Sequence, residues 1–365
     1  MTCRKSATHW PVPQPESALA IVGMDVRFPD GGTAPVESAW YEPTSPESAY
    51  GLTDEELRLI DPQHLLFLDC CVSALAQACP GHPDECIGVY AAAGPSAHLL
   101  QAIQEGQWSD ELRRGHDKDY LPALVSQVLA LRGPSFAIQS ASASAIVAVH
   151  VACQSLLTGE CDAALTGAVS LLTPTERAVR VKRGEGVGAL YLKRLDSALD
   201  HGDLIVGLIL GSAVSHSGSR HLPGIADPKA LALAQRGALA AAGVEPSDVG
   251  YVEMHSTGTP AADRLELAAL RSVYAAAEPD IDSCRSVIPY SGVASGIAAL
   301  SAAMQWCGRT RENVPYDREA NTRPRIAAVN AIGMTGTHAH MIVAVPPDTH
   351  ALAKRTDGEV LHVAR

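Results

Sequence analysis

Residues 136–152 read Phe-Ala-Ile-Gln-Ser-Ala-Ser-Ala-Ser-Ala-Ile-Val-Ala-Val-His-Val-Ala. The spacing predicts a short buried strand, a tight turn of small residues, then an apolar helix. Ser142 falls on the turn, close to the helix start. Backbone N–H groups there lack helical partners and carry the positive end of the helix dipole. A side-chain oxygen at that point faces ready-made donors for a developing oxyanion. Ser142 is therefore the first candidate nucleophile.

The chain has 365 residues, 47% of them hydrophobic, enough for a sizeable core in one large domain or two fused halves. Its 28 basic and 40 acidic residues give a formal net charge of −12. That balance argues against a nucleic-acid partner. The nine cysteines contain no CxxC pair, which argues against a zinc ribbon or a thioredoxin-like site. Cys70, Cys71 and Cys153 lie in apolar runs and read as core. The odd count, without a secretory signal, fits a reducing cytoplasm. No apolar run is expected to approach the roughly 18 residues that span a membrane.

Along the chain, residues 1–17 read as a loose arm and 347–365 as a tail. Strands are expected at 18–24, 87–93, 162–168, 187–193, 204–213, 249–254, 325–331 and 340–345. Helices are expected at 61–79, 119–132, 227–243, 261–277 and 294–307. Residues 25–53 read as irregular. Asp61-Pro62 supplies a cap and a proline at the first helical position. Alternating apolar strands and helices indicate an α/β fold in layers. The expected units are 18–183 and 184–346.

Segments spread along the chain carry a family resemblance. Residues 136–152 resemble the active-site segment of the β-ketoacyl synthases, the condensing enzymes of fatty-acid and polyketide synthesis, which carry a nucleophilic Cys where this chain has Ser142. Residues 20–32, Asp61-Pro62-Gln63 and Lys182-Arg183-Gly184-Glu185-Gly186 are similar to the family's opening strand, DPQ segment and RGEG segment. Residues 251–260, Tyr-Val-Glu-Met-His-Ser-Thr-Gly-Thr-Pro, resemble its HGTGTP motif, and 332–340, Ile-Gly-Met-Thr-Gly-Thr-His-Ala-His, its closing GFGGTNAH loop. The resemblance implies the thiolase fold: two similar halves in a five-layered αβαβα arrangement, forming a dimer. It implies no bound cofactor. The substrate carrier would be the phosphopantetheine arm of an acyl carrier protein.

By position, His255 matches the first catalytic His, Thr257 and Thr259 the threonines that hold pantetheine, and Glu266 the partner of a catalytic Lys. Met334 falls at a gating aromatic whose N–H joins that of Ser142 in the oxyanion hole. The family's K-S-x-x-G-H motif reads Arg285-Ser286-Val287-Ile288-Pro289-Tyr290 here. Arg285 is expected to keep the ion pair with Glu266, but guanidinium cannot act as a base. Tyr290 stands in place of the second His and can donate a hydrogen bond. Residues 25–53 and 171–182 look shortened, which implies an altered acyl tunnel.

A serine hydroxyl needs an adjacent general base, and His255 is the expected one. Against this stands Ser142 as a small polar residue of a retired site, and His255 as a structural histidine. Two functions follow. One is acyl transfer or thioester hydrolysis through Ser142, with carbon–carbon condensation impaired. The other is a non-catalytic partner of an active ketosynthase, like the chain-length-factor proteins, in a heterodimer rather than a homodimer. Condensation with Ser142 ranks last. His338-x-His340 alternates along a strand without a third ligand, so no metal site is expected. His150 reads as a core histidine, and Asp263 and Glu266 share one helix face.

Overall fold

The computed structural model describes residues 18–28, 50–79, 85–172, 183–218, 227–308 and 325–345. The expected arm 1–17, the tail 347–365, most of 25–53 and residues 173–182 lie outside them. Ten strands form one continuous sheet. They are β1 (Leu19–Arg27), β2 (Ile87–Ala93), β3 (Ser135–Ala137), β4 (Ala163–Ser170), β5 (Gly186–Arg194), β6 (Gly207–His216), β7 (Val249–Glu253), β8 (Asp280–Asp282), β9 (Arg325–Ile332) and β10 (Thr337–Val345).

The strand order is β3-β2-β4-β5-β1-β6-β10-β9-β7-β8. Read outward from the centre, each side gives the same sequence of strands: first, fifth, fourth, second, third. In the first half that count runs by position as β1, β5, β4, β2, β3, and in the second as β6, β10, β9, β7, β8. The directions repeat too. β5 is antiparallel to β1 and β4, and β2 is parallel to β3 and β4. β10 is antiparallel to β6 and β9, and β7 is parallel to β8 and β9. The chain is a structural duplication. β1 and β6 join the halves through the antiparallel pairs Leu19↔Ile209, Ala20↔Leu208 and Ile21↔Gly207. The repeat divides between Arg194 and Gly207; a boundary at 183/184 would separate β5 from both its neighbours.

The helices are α1 (Asp54–Leu59), α2 (Pro62–Leu75), α3 (Ala97–Gln104), α4 (Asp110–His116), α5 (Tyr120–Val128), α6 (Ser144–Thr158), α7 (Leu195–His201), α8 (Pro228–Ala242), α9 (Pro260–Tyr274) and α10 (Ser295–Gly308). Strand side chains alternate between two apolar clusters, as a period of two requires. Val89, Ala91, Leu165, Ala189, Ala328 and Ile342 face an outer cluster with α2, α5 and α8. Tyr90, Ala92, Leu190, Leu192, Val329 and Met341 face an inner cluster with α6 and α10. Both faces of the strands are covered, so they read as unbroken apolar runs. The five layers are outer helices, sheet half, α6 with α10, sheet half and outer helices. This is the thiolase-type α/β arrangement.

Asp61 caps α2 by accepting the Gln63 N–H at 2.9 Å, with Pro62 at the first helical position. The sequence missed α1, α3, α4, α7 and β8, all eight residues or shorter. One expectation is corrected: residues Ala141–Thr158 form a segment apolar and long enough to cross a membrane, by length and composition alone. Here that segment is two-thirds buried, because α6 packs between the two sheet halves. Cys70, Cys71 and Cys153 are buried core residues.

α6 and α10 approach closely because Gly296 has no side chain. A Cβ there would lie 2.8 Å from Ile146 Cγ1, 3.0 Å from Ala145 Cβ and 3.2 Å from Ile146 N. Gly296→Ala is expected to overpack this crossing and cost about 1–3 kcal/mol, read as a lower denaturant midpoint at unchanged slope.

Candidate active site

The strand–turn–helix read from the sequence is present. Ser142 lies between β3 and α6 and is 7% exposed. Ala141 precedes it with φ +50°, the left-handed region that costs an alanine about 1–2 kcal/mol. The turn is held by its own serines. Ser140 N–H donates to Ser144 Oγ at 2.7 Å, and Ser144 Oγ–H donates to the Ala141 carbonyl at 2.6 Å. Ala143 N–H returns to the Ser140 carbonyl at 3.1 Å.

The second half repeats this turn. Ser291-Gly292-Val293-Ala294-Ser295-Gly296-Ile297 aligns with Ser140-Ala141-Ser142-Ala143-Ser144-Ala145-Ile146. Ser291 N–H donates to Ser295 Oγ, and Ala294 N–H to the Ser291 carbonyl, both at 3.1 Å. Gly292 has φ +57°, matching Ala141. Val293 occupies the place of Ser142. Ala141→Gly is expected to relieve the strain and stabilise the fold by up to about 1 kcal/mol, measured as a raised unfolding midpoint.

Tyr290 immediately precedes the second turn, and its hydroxyl is hydrogen-bonded to Ser142 Oγ. Its carbonyl accepts the Gly184 N–H at 2.9 Å, which ties the RGEG segment to the site. The His255 ring meets the Tyr290 ring edge-on, centroids 5.9 Å apart at 84°. The Arg285 guanidinium lies 5.8 Å from the centroid of the same ring. Ser142, His255, Arg285 and Tyr290 are thus brought together.

Two expected contacts are corrected. His255 is not bonded to Ser142; both its ring nitrogens are buried and have no hydrogen-bond partner among the described residues. Tyr290 takes the position beside the serine instead. Arg285 forms no ion pair with Glu266. Its Nε donates to the His255 carbonyl at 3.3 Å and its Nη2 to the Ser295 carbonyl at 3.2 Å. Glu266 is occupied otherwise. The loop after β7 leaves two N–H groups without strand partners, and the carboxylate takes them: His255 N–H at 2.7 Å and Ser256 N–H at 3.1 Å. Asn330 Nδ2 adds a third bond at 3.0 Å.

Burial dominates the electrostatics. It pushes the Glu266 carboxyl up to about 7, although the three hydrogen bonds oppose the shift. It pushes His255 down to about 3, helped by Arg285 and His338. His255 is therefore a neutral imidazole at pH 7.

Thr257 and Thr259 are exposed on the loop leading into α9. Thr257 N–H donates to Asp263 Oδ1 at 3.1 Å, and Thr259 N–H to Thr257 Oγ1 at 3.3 Å. Met334 is 57% exposed, on a turn packed against Ser140. His340 and His338 point into the fold and are held separately. His340 contacts Asn330 Oδ1 at 2.5 Å and the Tyr274 hydroxyl at 2.9 Å; His338 Nε2 contacts Ser217 Oγ at 3.0 Å. Among the described residues no three His, Cys, Asp or Glu side chains group to hold a metal ion. His150 is partly buried and bonded to Ser212 at 2.8 Å. Sequence reasoning missed Asn330, which joins Glu266 to His340. Its signal is one amide inside the apolar run of β9.

The histidine shift has a stability consequence. The unfolded chain protonates His255 below about 6.5, and the fold not until about 3. The unfolded state binds protons first, so this stability is lost as pH falls through that window. Glu266 acts oppositely between 4.5 and about 7, where the fold retains its proton and stability falls as pH rises. Urea unfolding of wild type beside His255→Gln should show the wild type losing stability relative to the variant as pH drops below about 6.5.

Residues 42–183 match the description "Beta-ketoacyl synthase, N-terminal domain", and residues 206–307 "Beta-ketoacyl synthase, C-terminal domain". A phenolphthiocerol/phthiocerol polyketide synthase of Mycobacterium tuberculosis is 32% identical over 91% of this chain and 29% of its own length. The PKS-NRPS hybrid synthetase ATPKS of Aspergillus niger is 30% identical over 84% of this chain and 20% of its own. The chain thus spans less than a third of the length of these relatives. Among solved structures, the oxazolomycin ketosynthase domain OzmH KS8 of Streptomyces albus JA3453 is 28% identical with a TM-score of 0.72, covering 95% of this chain and 99% of that one. The ketosynthase from module 6 of the bacillaene synthase of Bacillus subtilis 168 is 25% identical with a TM-score of 0.72, covering 90% and 72%. The chain belongs to the β-ketoacyl synthase family.

Proposed function

We propose that this β-ketoacyl synthase family member acts in polyketide biosynthesis on acyl thioesters carried by the phosphopantetheine arm of an acyl carrier protein, with Ser142 at the position of the family's nucleophilic Cys. Thr257 and Thr259, exposed at the mouth of the His255 loop, would hold the arm. The Ser142 and Met334 N–H groups would receive the thioester oxygen. Ser142 Oγ attacks the carbonyl carbon, the C–S bond breaks, and the pantetheine thiol leaves with the serine proton. Water or a second thiol then takes the acyl group. The observation that carries this reading is the convergence of Ser142, Tyr290 and neutral His255 at the start of a buried helix.

Decarboxylative condensation is a poorer fit. With Tyr290 in place of the second imidazole, one neutral histidine is left to stabilise an enolate. Arg285 is bonded to two backbone carbonyls through Nε and Nη2, and its Nη1 is buried without a hydrogen-bond partner among the described residues. Glu266 is a positioning residue for the His255 loop rather than a partner of Arg285. The site would work within a dimer. β3 is an edge strand with Phe136 54% exposed, which suits pairing with a second ketosynthase-like chain.

A second reading has its own support. Ser142 is bonded to a phenol rather than to a base, as a retired site would allow. The chain would then be a non-catalytic partner of an active ketosynthase. Intact mass after incubation with acyl-carrier protein separates the two. An acyl adduct on wild type and none on Ser142→Ala establishes a serine acyl-enzyme; no adduct on either across several acyl chains favours the partner. Ser142→Cys, with a thiol pKa near 8.5 in place of an alcohol, is expected to acylate at least about tenfold faster under the first reading.

A further inference from the structure

The turn that carries Met334 is braced from both sides. Gly336 N–H donates to the Gly333 carbonyl at 2.9 Å, which closes a four-residue turn with Met334 and Thr335 at its tip. On one side it rests on the Ser142 turn: a Cβ on Gly333 would lie 2.4 Å from the Ser140 carbonyl oxygen. On the other it rests on the end of β6. A Cβ on Gly336, where φ is +93°, would lie 3.0 Å from His216 Nε2. Ser217 N–H donates to the Gly336 carbonyl at 2.9 Å and continues the contact.

His216 makes two hydrogen bonds. Its Nδ1 accepts the Gly218 N–H at 3.0 Å, and its Nε2 lies 3.0 Å from the Thr335 carbonyl oxygen. A backbone N–H can only donate, so Nδ1 is unprotonated and the proton sits on Nε2. Nε2–H therefore donates to Thr335. From there two peptide planes lead to Met334. The Thr335 carbonyl and the Gly336 N–H share one plane and point in opposite directions, as a trans peptide requires. That N–H bonds the Gly333 carbonyl, which shares the next plane with the Met334 N–H. Fixing the Thr335 oxygen thus fixes the direction of the Met334 N–H. Hydrogen bonds in series also polarise one another, so the last N–H becomes the better donor.

We infer that His216, outside the catalytic cluster, is a positioning residue that aims and polarises the Met334 N–H through the Thr335–Gly336 and Gly333–Met334 peptides. Its relevance to catalysis rests on the reading of that N–H as an oxyanion donor. The six methionines make a direct test practical. The full chain is labelled with nitrogen-15 methionine, and Met334→Leu assigns the Met334 amide peak. His216→Phe should shift that peak and leave the other methionine peaks in place. His216→Gln, whose amide N–H can reach Thr335, should bring it back towards wild type. Acylation of Ser142 by a small acyl thioester should slow about tenfold in His216→Phe, the loss of one net hydrogen bond, and recover in His216→Gln, with the change in rate rather than in KM. Where His216→Phe does not fold, His216→Asn decides: it keeps an acceptor for Gly218 but withdraws the donor from Thr335. An unmoved Met334 peak in a folded variant overturns the inference. Absence of acylation in wild type defeats the catalytic reading alone, because the amide peak still reports on His216.

Discussion

The left-handed residue ahead of each central helix is the constraint from which the site follows. Ala141 at φ +50° and Gly292 at +57° turn the chain sharply into α6 and α10. Each turn is locked by a serine four residues on, through the Ser140–Ser144 and Ser291–Ser295 bonds. Because Gly296 lets the two helices approach, the turns meet head to head. Ser142 follows one left-handed residue directly, and Tyr290 stands two places before the other. Their hydrogen bond is a contact between equivalent turns of a duplicated fold. The second half also serves as an internal comparison. The turn with Val293 in the middle is complete, so its geometry needs no side-chain oxygen there, and the hydroxyl of Ser142 is an addition to a structural device.

Depth of burial sets what the surrounding groups can do. Water is excluded from His255, and the nearby guanidinium adds to the cost of a second positive charge, so the imidazole stays neutral. Glu266 retains its proton to about pH 7 for the same desolvation reason. Arg285 is held by two carbonyls at loop ends, where its planar fork reaches both. The cluster thus has hydrogen-bond donors and one neutral base, with no close ion pair to hold a charged intermediate. That composition offers neutral donors to an oxygen that gains charge.

Much of this was legible in the sequence, and the limits are physical. Strands buried on both faces read as apolar runs, and β2 matches its expectation of 87–93 residue for residue. Ser142, His255, Arg285 and Tyr290 were singled out from separate segments, and the fold gathers them. Their mutual contacts were not readable. Charge pairing suggested Arg285 with Glu266, but unpaired backbone N–H groups compete for a carboxylate, and a sequence does not show which loops leave them unpaired. α1, α3, α4 and α7 are too short for a clear period; the first three depend on side-chain caps such as the Thr53–Glu56 box, and α7 ends on the left-handed Gly202. The resemblance implied two similar halves, but the residues alone barely display the duplication, because its sequence trace is a few residues at 140–146 and 291–297, whereas strand order and direction repeat throughout.

Backbone and side-chain parts of the site respond differently to substitution. The left-handed turns and helix starts are backbone devices locked by the Ser144 and Ser295 hydroxyls, and the Met334 turn is tied at the Thr335 carbonyl by the His216 ring. Proton handling resides in side chains, where the set reduces to a phenol, a neutral imidazole and a tethered guanidinium. A peptide-built oxyanion site can activate a thioester carbonyl without a second imidazole. Loss of carbon dioxide from a malonyl group also places charge on an oxygen, that of the thioester enolate, and under the proposed function His255 and Tyr290 are the groups left to receive it. Under the proposed function, acyl transfer and decarboxylation are asked of different groups: Ser142 and the peptide donors for the first, His255, Arg285 and Tyr290 for the second.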